Sequence, residues 1–144
     1  MPSSTLLILT GKNVTELLQS RSTIDSALES QSRAFKAYSQ TNLKSNGSPR
    51  IPPIQAPLRT TLTSEDVTTL VMPARADAAR GLGGIGIKVV SVPNEGDAGL
   101  PATTTIFDEK TGNLRAVVNA RALTALRNAC GTSFSRPSLR TPRS

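Results

Sequence analysis

One run constrains this chain more than any other: Ile85-Gly86-Ile87-Lys88-Val89-Val90-Ser91-Val92. So dense a β-branched run predicts a strand covered on both faces. A lysine there is costly unless its ammonium finds a partner or water. Either Lys88 reaches solvent at a sheet edge, its stem packed and its head wet, or it points into a pocket and holds an anion. The strand by itself leaves both readings open.

The next thirty residues are just as patterned. Thr103–Phe107 and Leu114–Val118 are two short β-rich runs. Between them, Asp108-Glu109-Lys110-Thr111-Gly112-Asn113 reads as a hairpin loop, with Gly112 free to take positive φ. Asn119 can then cap a helix over Ala120–Cys130, whose Ala122, Leu123, Leu126, Ala129 and Cys130 recur at helical spacing. Arg127 stands beside Leu123 and Leu126, near the margin of that stripe, and can aim at the same space as Lys88.

Composition narrows the chemistry. There is no histidine, which removes His-based triads, His metal sites and His general bases. The one cysteine, Cys130, can form neither an internal disulfide nor a zinc cluster, and it reads as a small packed hydrophobe. With 3% aromatics and no Trp, the core must be built from Leu, Val, Ile and Ala. The net charge of +7 raises the question of nucleic acid. Its distribution argues against it: Arg136, Arg140 and Arg143 put +3 into the last 14 residues, leaving +4 thinly spread over the first 130. No apolar run approaches membrane-spanning length. Leu6–Leu9 is too short for a signal-peptide core, so a soluble, cytoplasmic protein is expected.

Taken in order, Leu6–Leu9 predicts a first strand. Thr10 caps a helix over Gly11–Gln19 with Val14, Leu17 and Leu18 inward. A second helix runs from Ile24 to about Ser39, its stripe formed by Ile24, Ala27, Leu28, Ala34, Phe35 and Tyr38. Residues 41–54 read as a mobile Pro/Gly-bearing loop. Ala56–Leu62, with Arg59 inside it, and Val67–Met72 are two more strands, and Pro73–Arg80 a connector. For Arg59, an outward-facing strand position is not excluded by alternation. Gly81-Leu82-Gly83-Gly84-Ile85-Gly86 spells G-x-G-x-x-G, but it leads into a strand. A dinucleotide site needs a helix N-terminus there to meet the pyrophosphate.

The segments IKVVS and GLPATTTIFDEKTGNLRAVVNARALTALRNA resemble the ornithine cyclodeaminase/mu-crystallin family. The pattern is a Lys-bearing strand, a Gly-Leu-Pro turn, an Asp-x-x-Thr-Gly hairpin and a Leu-Thr-Ala-Leu-Arg helix. Pro57-Leu58-Arg59-Thr60-Thr61 and Leu70-Val71-Met72-Pro73-Ala74 agree with it, and the resemblance spans roughly residues 5 to 130. It implies an α+β substrate-binding and dimerisation domain over residues 1–130, with a mixed or antiparallel sheet, flanking helices, and a second copy paired through the sheet. By motif match it implies that Arg59, Lys88 and Arg127 hold the carboxylate of an amino or imino acid. The structural alternative is that each cation is paired with Glu65, Asp66 or Asp108.

The family's catalysis also needs NAD or NADP on a Rossmann domain, which has no counterpart here. The expectation is therefore no catalytic residue and no cofactor in this chain, and no turnover from it alone. Family members acting on ornithine carry an acidic residue shortly before the Met-Pro turn. Leu70-Val71 stands there instead, which suits an apolar amino acid or cyclic imine better. Residues 131–144 break the pattern abruptly and are expected to form a disordered tail. A truncated or mis-spliced product is one account. A natural Ser/Arg tail, phosphorylated or touching RNA, is the other, and composition does not separate them.

Overall fold

A computed structural model describes residues 5–41, 51–77, 83–96 and 100–135. The elements are β1 (Leu7–Leu9), α1 (Gly11–Leu18), α2 (Arg21–Thr41), β2 (Ile54–Gln55), β3 (Thr60–Thr63), β4 (Val67–Ala76), β5 (Gly84–Pro93), β6 (Ala102–Phe107), β7 (Leu114–Asn119) and α3 (Arg121–Ser135). They form the expected α+β fold around one seven-stranded mixed sheet. Its order is β1-β7-β6-β5-β4-β2, with β3 also paired to β4. Among the described residues, only β1 runs parallel to its neighbour, β7.

Local chemistry sets the joints. Thr10 and Asn13 make a reciprocal capping box at the start of α1: Asn13 N–H donates to Thr10 Oγ1 at 3.3 Å, and Thr10 N–H donates to Asn13 Oδ1 at 3.1 Å. At the β6–β7 turn, the Asp108 carboxylate accepts from the N–H groups of Lys110 and Thr111 and from the Thr111 hydroxyl. Those donors, first among them Thr111, hold Asp108 below the usual carboxylate range. Gly112 closes the turn at φ +69°, the left-handed conformation anticipated for it.

Two small core clusters lie on one face of the sheet. Val14, Ala116 and Val118 form one, with Leu9, Leu18, Ala122 and Leu123 against it. Val90, Ala102 and Ala120 form the other, with Met72, Val92 and Leu123. Among the described residues, the buried apolar side chains are only Val, Ala and Cys130. The larger Leu and Ile residues stay half-buried or exposed, so this core is thin.

Several expectations shift. β5 is not covered equally on both faces: Val90 is buried toward α3, whereas Ile85, Ile87 and Val89 on the other face are only partly covered. The stripe on α2 does not become core, since Ile24, Phe35 and Tyr38 are exposed and Ala37 is buried instead. Leu17 is likewise exposed. A 3.6-residue pattern fixes which residues share a helix face, and not whether that face meets the rest of this chain. β4 continues to Ala76 through the predicted connector, because Pro73–Ala76 find partners on β5. β3 begins only at Thr60, so Arg59 lies just before it. α3 runs to Ser135, past the expected boundary at residue 130. Most of the loop assigned to 41–54, and the tail from residue 136, lie outside the described residues.

Candidate functional site

The register of the sheet places Lys88. It pairs with Met72 on β4 and Thr104 on β6, in the middle of the sheet. Its neighbour two residues on, Val90, is buried against Ala120, so alternation turns Lys88 toward α3 as well. There its Nζ donates to Thr124 Oγ1 at 2.8 Å. Thr124 in turn donates to the carbonyl of Ala120 at 2.9 Å, the i−4 bond that helical threonines favour. Half-burial, and next the charge of Arg127, lower the Lys88 pKa below its ordinary 10.5.

Arg127 sits three residues beyond Thr124 on α3, one turn along the same side of the helix. It is exposed. It also lines a shallow groove between the helices with Gln31 and Phe35 of α2 and Asn128, Gly131 and Thr132 of α3. Arg59 is exposed and precedes β3. Thr60 pairs with Val71, and one step back brings Arg59 level with Met72, the partner of Lys88. The structure thus brings Lys88 and Arg127 within electrostatic reach of each other, with Arg59 at the same level of the sheet. The groove does not include Lys88 or Arg59.

Among the described residues, no acid neutralises these three cations: Arg59, Lys88 and Arg127 form no ion pair with Glu65, Asp66 or Asp108. Arg75 shows what a satisfied cation looks like in this fold. Its Nε donates to Glu109 Oε1 at 2.6 Å, a second N–H reaches the same oxygen, and a third donates to the Pro52 carbonyl at 2.9 Å. Lys88 has a hydroxyl where Arg75 has a carboxylate.

Reading the sequence alone misses Thr124 as a contributor to this site. Its signal is a hydroxyl three residues before Arg127, on the face that the helical spacing turns toward Lys88. Of the glycine run, residues 83–86 are described, and they lead into β5. Gly84 opens β5 at φ +139°, and a Cβ there would lie 2.9 Å from the Phe107 carbonyl oxygen. Glycine serves strand packing at that point, and the helix N-terminus that a pyrophosphate needs does not follow. Among the described residues, no group of acids and Cys130 is placed to hold a metal ion, and no helix is long and apolar enough to cross a membrane.

No protein-family model matches the sequence, and no curated protein matches it significantly. Solved structures do match its fold. An archaeal alanine dehydrogenase dimer with bound NAD superposes with a TM-score of 0.71 at 25% identity, over 90% of this chain and 36% of that one. Δ1-pyrroline-2-carboxylate reductase of Thermococcus litoralis, in complex with NADH and L-proline, gives 0.66 at 23% identity, over 90% and 36%. A probable ornithine cyclodeaminase from Bordetella pertussis Tohama I gives 0.70 at 19% identity, over 97% and 38%. The chain therefore spans a little over one third of the length of these relatives. Together with the sheet that residues 85–127 build, this likeness shows that the chain has the fold seen in these ornithine cyclodeaminase-like solved structures.

Proposed function

We propose that these residues form the amino-acid-binding part of an NAD(P)-linked enzyme, with Arg59, Lys88 and Arg127 holding the carboxylate of an amino or imino acid. The observation that carries this reading is a half-buried lysine beside an arginine, with no acid to neutralise either among the described residues. A half-buried ammonium within electrostatic reach of an exposed guanidinium is unfavourable alone and favourable around an anion. A carboxylate suits the set, since it accepts a guanidinium fork on one side and an ammonium point charge on the other. The apolar surroundings, Met72 and Leu70 on β4, favour an apolar amino acid or cyclic imine over ornithine. The solved reductase with L-proline is in keeping with that class.

In this reading the described residues hold the carboxylate and do not turn over by themselves. The domain, expected over residues 1–130, extends in this reading to the end of α3 at Ser135, and it works as a homodimer in the cytoplasm. The sheet face opposite α3 supports the dimer: Ile8 and Leu62 are exposed there, and Val71, Val89 and Val117 lie in neither core cluster. A second reading is a non-catalytic dimerising or small-carboxylate-binding module, and the same thin core and open apolar face favour it. Calorimetric titration with L-proline and L-ornithine tests the substrate class. Saturable binding of L-proline that L-ornithine matches only weakly is expected, and tighter binding of L-ornithine would overturn the assignment.

A further inference from the structure

We propose that Thr124 is the positioning residue for the Lys88 ammonium, holding it toward a carboxylate presented beside Arg127. This deepens the binding role proposed above and rests on it. A lysine ammonium ends a flexible four-carbon stem and has three rotatable donors, so its direction must be fixed by something. Here the fixing group is a hydroxyl with no freedom of its own. The Thr124 O–H is committed to the Ala120 carbonyl at 2.9 Å, so what it turns to Lys88 is a lone pair. That i−4 bond also selects the threonine rotamer.

The anchor beneath it is firm. Ala120 is 2% exposed, and its N–H donates to the Ala102 carbonyl at 2.8 Å. Ala102 pairs with Val90, two residues from Lys88 on the same strand. The contacts close a ring: Lys88, Val90, Ala102, Ala120, Thr124 and back to Lys88. Thr124 takes one ammonium hydrogen and leaves two for a ligand. A carboxylate of this protein in its place would neutralise the lysine and compete with the substrate. A hydroxyl orients the charge without cancelling it.

The test compares Thr124→Val, which keeps the shape and loses the hydroxyl, with Thr124→Ser, which keeps the hydroxyl. L-proline is titrated into the full chain by calorimetry. The order of the Lys88 side chain is read separately by NMR relaxation at Cε, with Lys88→Met supplying the assignment. Thr124→Val is expected to weaken L-proline binding about tenfold, the loss appropriate to one charge-assisted hydrogen bond, and to leave Lys88 disordered. Thr124→Ser should restore both to within about threefold of the parent. A Thr124→Val protein that binds L-proline like the parent, or a serine variant that restores nothing, would overturn the proposal. If the parent chain shows no saturable L-proline binding, the carboxylate reading fails by itself. The relaxation data then still decide Thr124, because a Lys88 as ordered in the valine variant as in the parent overturns its positioning role.

Discussion

Lys88 on β5 and Thr124 on α3 meet at 2.8 Å across a sequence separation of 36 residues. The bond joins the middle of the sheet to the last helix through a charge, at a place where the neighbouring contacts of Val90, Ala120 and Leu123 are apolar. A stability-driven design would put an aliphatic side chain at Lys88. The cation there is the feature on which the proposed carboxylate-binding role rests.

That cation should be visible in the pH dependence of stability. Half-burial and the Arg127 charge place the folded-state pKa of Lys88 below 10.5, so between that value and 10.5 the unfolded chain binds more protons. Unfolding free energy therefore rises with pH across the window and falls as pH drops through the folded pKa. Urea unfolding at pH 7.5 and pH 10, read as the difference between the parent and Lys88→Met, should show the parent gaining on the variant at high pH. Arg127→Gln should shrink that gain by removing the second cause. Equal differences at the two pH values would contradict the desolvated placement of Lys88.

Two glycines should respond differently to alanine. Gly112 is at φ +69° with nothing near its absent Cβ, so Gly112→Ala should cost about 1 kcal/mol, the strain of the left-handed conformation alone. Gly84 combines φ +139° with a Cβ position 2.9 Å from the Phe107 carbonyl. Gly84→Ala should cost about 3 kcal/mol, because backbone strain and a backbone clash act together. Denaturant midpoints at constant slope check the order, and a Gly84→Ala protein more stable than Gly112→Ala would contradict the β5–β6 geometry.

The open face of the sheet gives a third expectation. Val71 and Val89 are paired neighbours on the face away from α3. A lysine at Val71 is soluble on a free face and a desolvated charge in a dimer. Sedimentation should show the parent as a dimer at micromolar concentration and Val71→Lys as a monomer that retains the parent's circular dichroism. A parent that stays monomeric at high micromolar concentration would rule the dimer out.

Much of the fold is legible in the residues alone, and the reasons differ by element. β6, its turn and β7 are readable because Asp108, Thr111 and Gly112 specify the loop chemically. The capping of α1 is equally local in Thr10. The stripe of α2 misleads, since helical spacing shows that Ile24, Phe35 and Tyr38 share a face and is silent on what meets it. The extent of β4 is hidden because Pro73 looks like an interruption, yet its pairing with Ile87 carries the strand through. At the site, Lys88 and Arg127 stand out as cations at apolar positions. Thr124 does not, because its role depends on a partner 36 residues away that no local pattern reveals.

If Lys88 is kept for an anion, Lys88→Met should separate binding from folding. Methionine preserves most of the stem and removes the charge, the repulsion from Arg127 and the desolvation penalty. The variant should be at least as stable as the parent in urea unfolding at pH 7.5. In calorimetric titration its L-proline binding should be weaker by about 30-fold or more, the cost of losing one member of a buried charge pair with the ligand. A variant that unfolds more readily while binding L-proline as the parent does would mean that Lys88 serves the fold and not an anion.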